Sequence, residues 1–149
     1  MQHRQAPHGK DLRKGRWSQT GQVYHITTAT RRRQPLFRDL TAAREVIKSL
    51  RHADADGQST TLAFVVMPDH LHWLFELRQG TLAQIVGGVK SASAHRIGHR
   101  LWQPGYHDHA LRREEDLRTV ARYIVANPIR AGIVKRVADY PHWDAIWVP

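Results

Sequence analysis

Two histidines stand either side of one leucine in "FVVMPDHLHWLFEL" (Phe64 to Leu77). A β-strand sends alternate side chains to opposite faces, so His70 and His72 share one face while Leu71 and Trp73 take the other. Their backbones would lie about 7 Å apart, near enough for two imidazoles to hold one metal ion. In a chain with 11 histidines the pair is also readable as two polar residues on a wet sheet face. Two imidazoles do not complete the shell of a hard divalent ion, so a third protein ligand is expected. "RYIVANP" offers one: Tyr123 and Asn127 are four apart and stack on one face of a helix. Leu117, Val120, Ala121 and Ile124 form the apolar stripe of that helix, with Tyr123 at its edge. Laid across the sheet, it would bring an amide oxygen to a metal and a phenol beside it. Tyr123 is equally a core-edge tyrosine, and Asn127, directly before Pro128, is equally a helix N-cap. A residue before proline is also pushed away from helical geometry.

The elements that must position these side chains follow from the pattern. "VYHITTAT" (Val23 to Thr30) is β-branched and aromatic, a first strand. After the basic connection "RRRQPLF", Leu40, Ala43, Val46, Ile47 and Leu50 recur at helical spacing, with Asp39 or Thr41 as cap. "TTLAFVVMP" and "HLHWLFEL" form an antiparallel hairpin about Pro68-Asp69. A second helix is expected from Thr81 to about Arg100, weakened by Gly87-Gly88. "GYHDHALR" reads as a fourth strand and "EEDLRTVARYIVAN" as a third helix with acidic residues at its positive end. "PIRAGIV" begins another short helix with Pro128 at its first position. The order predicts an α+β fold with helices covering one face of an antiparallel sheet. That face of the hairpin strand would be Leu71, Trp73, Phe75 and Leu77, leaving His70, His72, Leu74 and Glu76 on the other.

Residues 1–21 read as a flexible basic arm, 22–138 as the folded domain, and 139–149 as a Trp-rich tail of undefined form that could fold back over the site. A 41% apolar fraction and five tryptophans argue for a folded domain, and 149 residues suffice for one core. The formal net charge of +10 points to a polyanionic partner. No run approaches the roughly 18 apolar residues of a membrane helix, and the polar, basic N-terminus lacks the apolar stretch of a secretory signal. Nucleic acid is therefore the expected partner. The absence of cysteine removes disulfides and thiolate zinc sites and fits a cytoplasmic, nucleoid-associated protein.

Taken together, "MPDH" with its His-hydrophobic-His, "WQPGYHDHALRREEDL" and "YIVANPIRAGIV" resemble the REP-associated tyrosine transposases. These are bacterial relatives of the single-tyrosine HUH transposases of insertion sequences. The resemblance runs from about Val23 to Val134. It implies a ferredoxin-like antiparallel sheet with helices packed on it, a divalent-metal site, a catalytic tyrosine on a later helix, and single-stranded DNA as substrate. On the matching positions the metal histidines are His70 and His72, the nucleophile is Tyr123 and the third ligand is Asn127. Insertion-sequence relatives often carry the longer glutamine at that last position. The implied metal is Mg²⁺ or Mn²⁺, and the implied reaction is transesterification through a 5′-phosphotyrosine. The second His-x-His, His107 and His109 about the charged Asp108, is expected on the sheet surface near DNA and ranks behind the first pair as ligands.

The implied target is a repetitive extragenic palindrome: a DNA hairpin with a short single-stranded recognition sequence at its foot. Candidate phosphate contacts are Arg4, Lys10, Arg13, Lys14 and Arg16 in the arm and the run Arg31, Arg32, Arg33. Lys90, Arg96 and Arg100 offer a basic strip on the second helix, and Trp102 could stack on an unpaired base. A monomer is expected in preference to a dimer. Two other functions use the same residues: a hairpin binder that does not cut, and a metal-dependent nuclease whose nucleophile is water. An RNA-binding ferredoxin-like module would need exposed sheet aromatics, where this sheet carries histidines.

Overall fold

Alternation along β1 (Val23–Ala29) buries Tyr24 and Ile26 on one face of a sheet and turns Val23, His25 and Thr27 to the other. The computed structural model describes residues 18–98 and 100–148, apart from the side chain of Glu115. Most of the expected basic arm, through residue 17, lies outside them. After β1, α1 (Leu40–Ala55) starts where the Asp39 carboxylate accepts from Thr41 N–H at 2.8 Å. It buries Ala43, Val46 and Leu50. β2 (Ser59–Met67) and β3 (His70–Leu77) then form the hairpin about Pro68-Asp69. α2 (Leu82–Ile97) opens with a Thr81–Gln84 capping box. It ends sooner than Arg100 because Gly98 adopts φ 92°, the left-handed cap that only glycine takes without cost. Gly87 and Gly88 do not break α2, since Ile85, Val86 and Val89 around them are buried. That packing outweighs about 1 kcal/mol of helix propensity per glycine.

β4 (His107–Leu111) completes a βαββαβ order, and with β5 (Trp143–Ala145) the sheet runs β4-β1-β3-β2-β5, every pairing antiparallel. This is the expected α+β, ferredoxin-like sheet, with one correction. Helices cover both faces rather than one. α1 and α2 pack on Tyr24, Ile26, Phe64, Val66, Leu71, Trp73, Phe75 and Leu77. On the opposite face α3 (Glu114–Val125) lays Ala121 and Ile124 over Ala63, Val65, Met67 and Leu74. The reason lies in β2, where Ala63 to Met67 form a continuous apolar run. A strand buried on both faces reads as such a run and demands cover on each side.

α4 (Asn127–Arg130) follows α3 after Ala126. The C-terminal segment docks on the sheet: Tyr140 Oη donates to Val66 O at 2.6 Å, Trp143 Nε1 donates to Val137 O at 3.0 Å, and β5 pairs with β2. Among the described residues, no helix is long and apolar enough to cross a membrane.

Candidate active site

The register of β3 decides what the α3 face carries. His70 sits opposite Ala29 and Met67, and His72 opposite Thr27 and Val65, both on the side facing α3. Their ring centroids are 4.9 Å apart and nearly perpendicular. α3 delivers Tyr123 to the same place, its ring centroid 6.2 Å from that of His72 and edge-on to it. Ile124 is wholly buried while its neighbour Tyr123 remains 51% exposed. The helix is thus pinned by one residue and presents the phenol with the next.

Each histidine is held through Nδ1. His70 Nδ1 lies 2.7 Å from Asp69 Oδ1, and Asp69 is paired in turn with Arg33 Nε at 3.1 Å. Burial pulls the Asp69 carboxyl upward. The hydrogen bond and charge of His70, together with Arg33, outweigh it, so the pKa is lowered and the carboxylate stays ionised. His72 Nδ1 lies 2.9 Å from His25 Nε2 and 3.2 Å from Thr27 Oγ1. Burial first, then charge repulsion involving His70, His25, Arg130 and Arg33, push the His72 pKa down to about 3. Burial and His109 push that of His25 down to about 4. Both rings are therefore neutral at physiological pH, the form in which an imidazole nitrogen can ligate a cation.

Asn127 does not cap a helix. It is the first residue of α4, and its Nδ2 donates back one turn to Tyr123 O at 3.4 Å, leaving Oδ1 as a donor atom for a cation. Two imidazoles with an amide oxygen make a nitrogen–oxygen set that suits a divalent ion with phosphate or water completing the shell. Among the described residues, no group of three or more His, Asp or Glu is arranged around one ion. A site here therefore needs the amide oxygen as well, with water or phosphate completing the shell.

Two residues at this site escaped the sequence reading. Arg130 stacks its guanidinium 3.8 Å from the Tyr123 ring centroid and donates to Tyr123 O at 2.6 Å. The signal was a spacing of seven, two helical turns, which is visible only if α3 and α4 are treated as nearly continuous. His25 shares the parity of Thr27 on β1, a signal hidden in "VYHITTAT".

The candidate DNA contacts divide. Arg31, Arg32 and Arg33 form a short 3₁₀ turn beside the β2–β3 hairpin, with Arg32 and Arg33 at φ 56° and 54°. His107 and His109 lie on β4 opposite Thr27 and His25, on the same sheet face as His72, and both are exposed. Arg100 is exposed just past α2. Lys90 instead donates to Gln103 O and Gly105 O at 3.0 and 2.7 Å, fastening the segment before β4. Trp102 is half-buried against Phe37 with its indole N–H on Ser93 Oγ. Arg96 meets His52 and Glu45 where α2 packs on α1. Arg4, Lys10, Arg13, Lys14 and Arg16 lie outside the described residues.

Comparison with known proteins agrees with this arrangement. Residues 18–127 match the family described as Transposase IS200 like. A REP-associated tyrosine transposase of Escherichia coli K12 is 34% identical over 99 residues, which span 62% of this chain and 60% of that relative. A solved REP-associated tyrosine transposase bound to a REP hairpin superposes with a TM-score of 0.72 at 30% identity, over 86% of this chain and 79% of the other. With sheet order, histidine pair and helix-borne tyrosine in place, the chain belongs to the IS200-like transposase family and, within it, to the REP-associated tyrosine transposases.

Proposed function

We propose that this protein cleaves and rejoins single-stranded DNA at the foot of repetitive palindromic hairpins through a covalent phosphotyrosine. The observation that carries the reading is the placement of an exposed phenol beside the paired histidines, 6.2 Å between the Tyr123 and His72 rings, with the Arg130 cation over that phenol. Tyr123 Oη attacks the scissile phosphorus and loses its proton to solvent. The Tyr–O–P bond forms on the 5′ side, the P–O3′ bond breaks, and the departing oxygen takes up a proton as a 3′-hydroxyl. Attack by a 3′-hydroxyl on the phosphotyrosine reverses these steps and reseals a strand without ATP, because the ester is exchanged rather than hydrolysed.

Forming a phenolate from a group of ordinary pKa near 10 costs about 4 kcal/mol at neutral pH. Arg130, stacked on the ring, offsets part of that cost by placing a cation beside the developing negative charge. His70, His72 and Asn127 would hold Mg²⁺ or Mn²⁺, which when bound supplies Lewis-acid polarisation of the scissile phosphate and keeps it in line. Arg31 and Arg32, at the turn beside the β2–β3 hairpin, and His107 and His109 on β4 would contact the DNA backbone around that phosphate. The solved relative bound to a REP hairpin supports a hairpin as partner.

The test is a denaturing gel of purified protein with Mg²⁺ or Mn²⁺ and labelled single-stranded hairpins from repeats of the source genome. The expected result is a protease-sensitive protein–DNA band with the unaltered protein and none with Tyr123→Phe. Cleavage that persists in Tyr123→Phe would replace this reading with a hydrolytic nuclease. Hairpin binding without cleavage by either protein would leave a binder.

A further inference from the structure

One half-buried histidine on the α3 face has no part in the reaction above. His25, on β1, is paired across to Leu74 on one side and His109 on the other. Its Nε2 lies 2.9 Å from His72 Nδ1, with ring centroids 5.1 Å apart and planes tilted by 32°. A contact this short between two imidazole nitrogens requires an N–H on one and a lone pair on the other. If His25 donated, His72 would carry its own proton on Nε2 and have no lone pair there. If His72 donates through Nδ1, its Nε2 is bare. His70 shows which arrangement the site has adopted elsewhere: its Nδ1 faces the Asp69 carboxylate at 2.7 Å. An ionised carboxylate only accepts, so His70 Nδ1 carries an N–H, and Nε2 is the nitrogen this arrangement leaves for a cation.

We propose that His25 is the positioning residue of the metal site, accepting the Nδ1 proton of His72 and so fixing the tautomer and ring orientation in which His72 Nε2 faces a cation. His25 does for His72 what Asp69 does for His70. Thr27 Oγ1, 3.2 Å from the same His72 nitrogen, assists. Because β1 lies between β3 and β4 in the sheet, backbone pairing on both sides holds the His25 ring in place. Partners of this kind, behind a ligating histidine, orient the ring, and losing one typically weakens metal binding about 10- to 100-fold. The inference rests on the metal-dependent reading and adds to it a residue that touches neither metal nor DNA.

The experiment has two independent readouts. Long-range ¹H–¹⁵N spectra of the metal-free protein, assigned with His70→Ala and His72→Ala, report which nitrogen of each ring carries the proton. Titration with Mn²⁺, followed by loss of the free-ion paramagnetic resonance signal, reports affinity without DNA or turnover. The expected result is Nδ1–H on both His70 and His72 in the unaltered protein. In His25→Phe, His72 shifts toward Nε2–H and Mn²⁺ binds about 10- to 100-fold more weakly. His25→Gln, whose amide oxygen restores an acceptor, returns to within a few-fold of the original affinity. An Nε2–H on His72 in the unaltered protein would overturn the proposal whether or not any variant folds, as would full Mn²⁺ affinity in a folded His25→Phe. Failure of the unaltered protein to bind Mn²⁺, with His72 in the Nδ1–H form, would instead overturn the metal-dependent reading and leave the tautomer assignment standing.

Discussion

Under α1 and α2, β3 contributes Leu71, Trp73, Phe75 and Leu77, with Trp73 and Phe75 stacked 3.9 Å apart and all four at most 1% exposed. From the same eight residues, the α3 side receives His70, His72, Leu74 and Glu76. The first face is sealed by two helices of 16 residues each. The second is covered by one helix of 12 residues, packed on β2 and Leu74, which leaves β4 mostly exposed. Stability and chemistry are thus segregated by strand parity, and adjacent residues answer to different constraints. The α3 layer stops short of a complete hydrophobic cover, and that incompleteness leaves Tyr123 51% exposed beside the histidines.

The sharpest way to break this comparison is to truncate neighbours. Trp73→Ala should cost about 3–5 kcal/mol of folding free energy by urea denaturation, the usual range for an aromatic removed from a packed core. His72→Ala should cost at most about 1–2 kcal/mol, the scale of one lost buried hydrogen bond. It should nevertheless abolish adduct formation on the hairpin gel. Equal destabilisation by the two would mean that the faces are not separated.

Acid should likewise act on one face. His25 and His72 have folded-state pKa values of about 4 and about 3, below the ordinary 6.5. The folded state therefore binds fewer protons than the unfolded chain between those values. Their contribution is fully present above about pH 6.5 and is lost as pH falls from there toward 4 and then 3. The urea midpoint measured in EDTA should drop across that window. The double variant His25→Leu/His72→Leu should flatten the drop, and an unchanged slope would remove the assignment.

A smaller effect is expected from Arg130→Ala. A cation over an aromatic ring contributes about 0.5–2 kcal/mol, so single-turnover adduct formation should slow roughly 2- to 30-fold, with hairpin affinity unchanged. The smallest lies on the sealed side: Gly88→Ala should stabilise the protein by up to about 1 kcal/mol, because a Cβ there meets nothing within 4 Å. Adduct formation should not change.

The sequence was legible where a local rule acts on its own. Period-two alternation in "HLHWLFEL" gave the two faces of β3, and the Asp39 cap and the Pro68-Asp69 turn marked real boundaries. The four-residue spacing placed Tyr123 and Asn127 together, and the structure shows Asn127 Nδ2 reaching Tyr123 O. What stayed hidden depends on tertiary pairing. His25 gains meaning only when β1 is set beside β3, and Arg130 only when α4 continues from α3. The second helical layer was announced by the apolar run of β2, but a short apolar run does not say what covers it. Lys90 and Trp102 read as candidate DNA contacts from charge and aromaticity, yet both are engaged in fastening the segment before β4.

The three-residue strand β5 has a consequence for solubility. Without it, β2 would end the sheet, and the backbone groups along Ala63 to Val65, set in the most apolar stretch of the chain, would be open to pairing with another molecule. An unpaired apolar edge of that kind templates aggregation. Trp143, Asp144 and Ala145 occupy those positions, with Tyr140 anchored to Val66 O beside them. The tryptophan-rich C-terminal segment thus acts as an edge guard, and a chain truncated after Asp139 should self-associate through β2 even with every residue of the candidate active site intact.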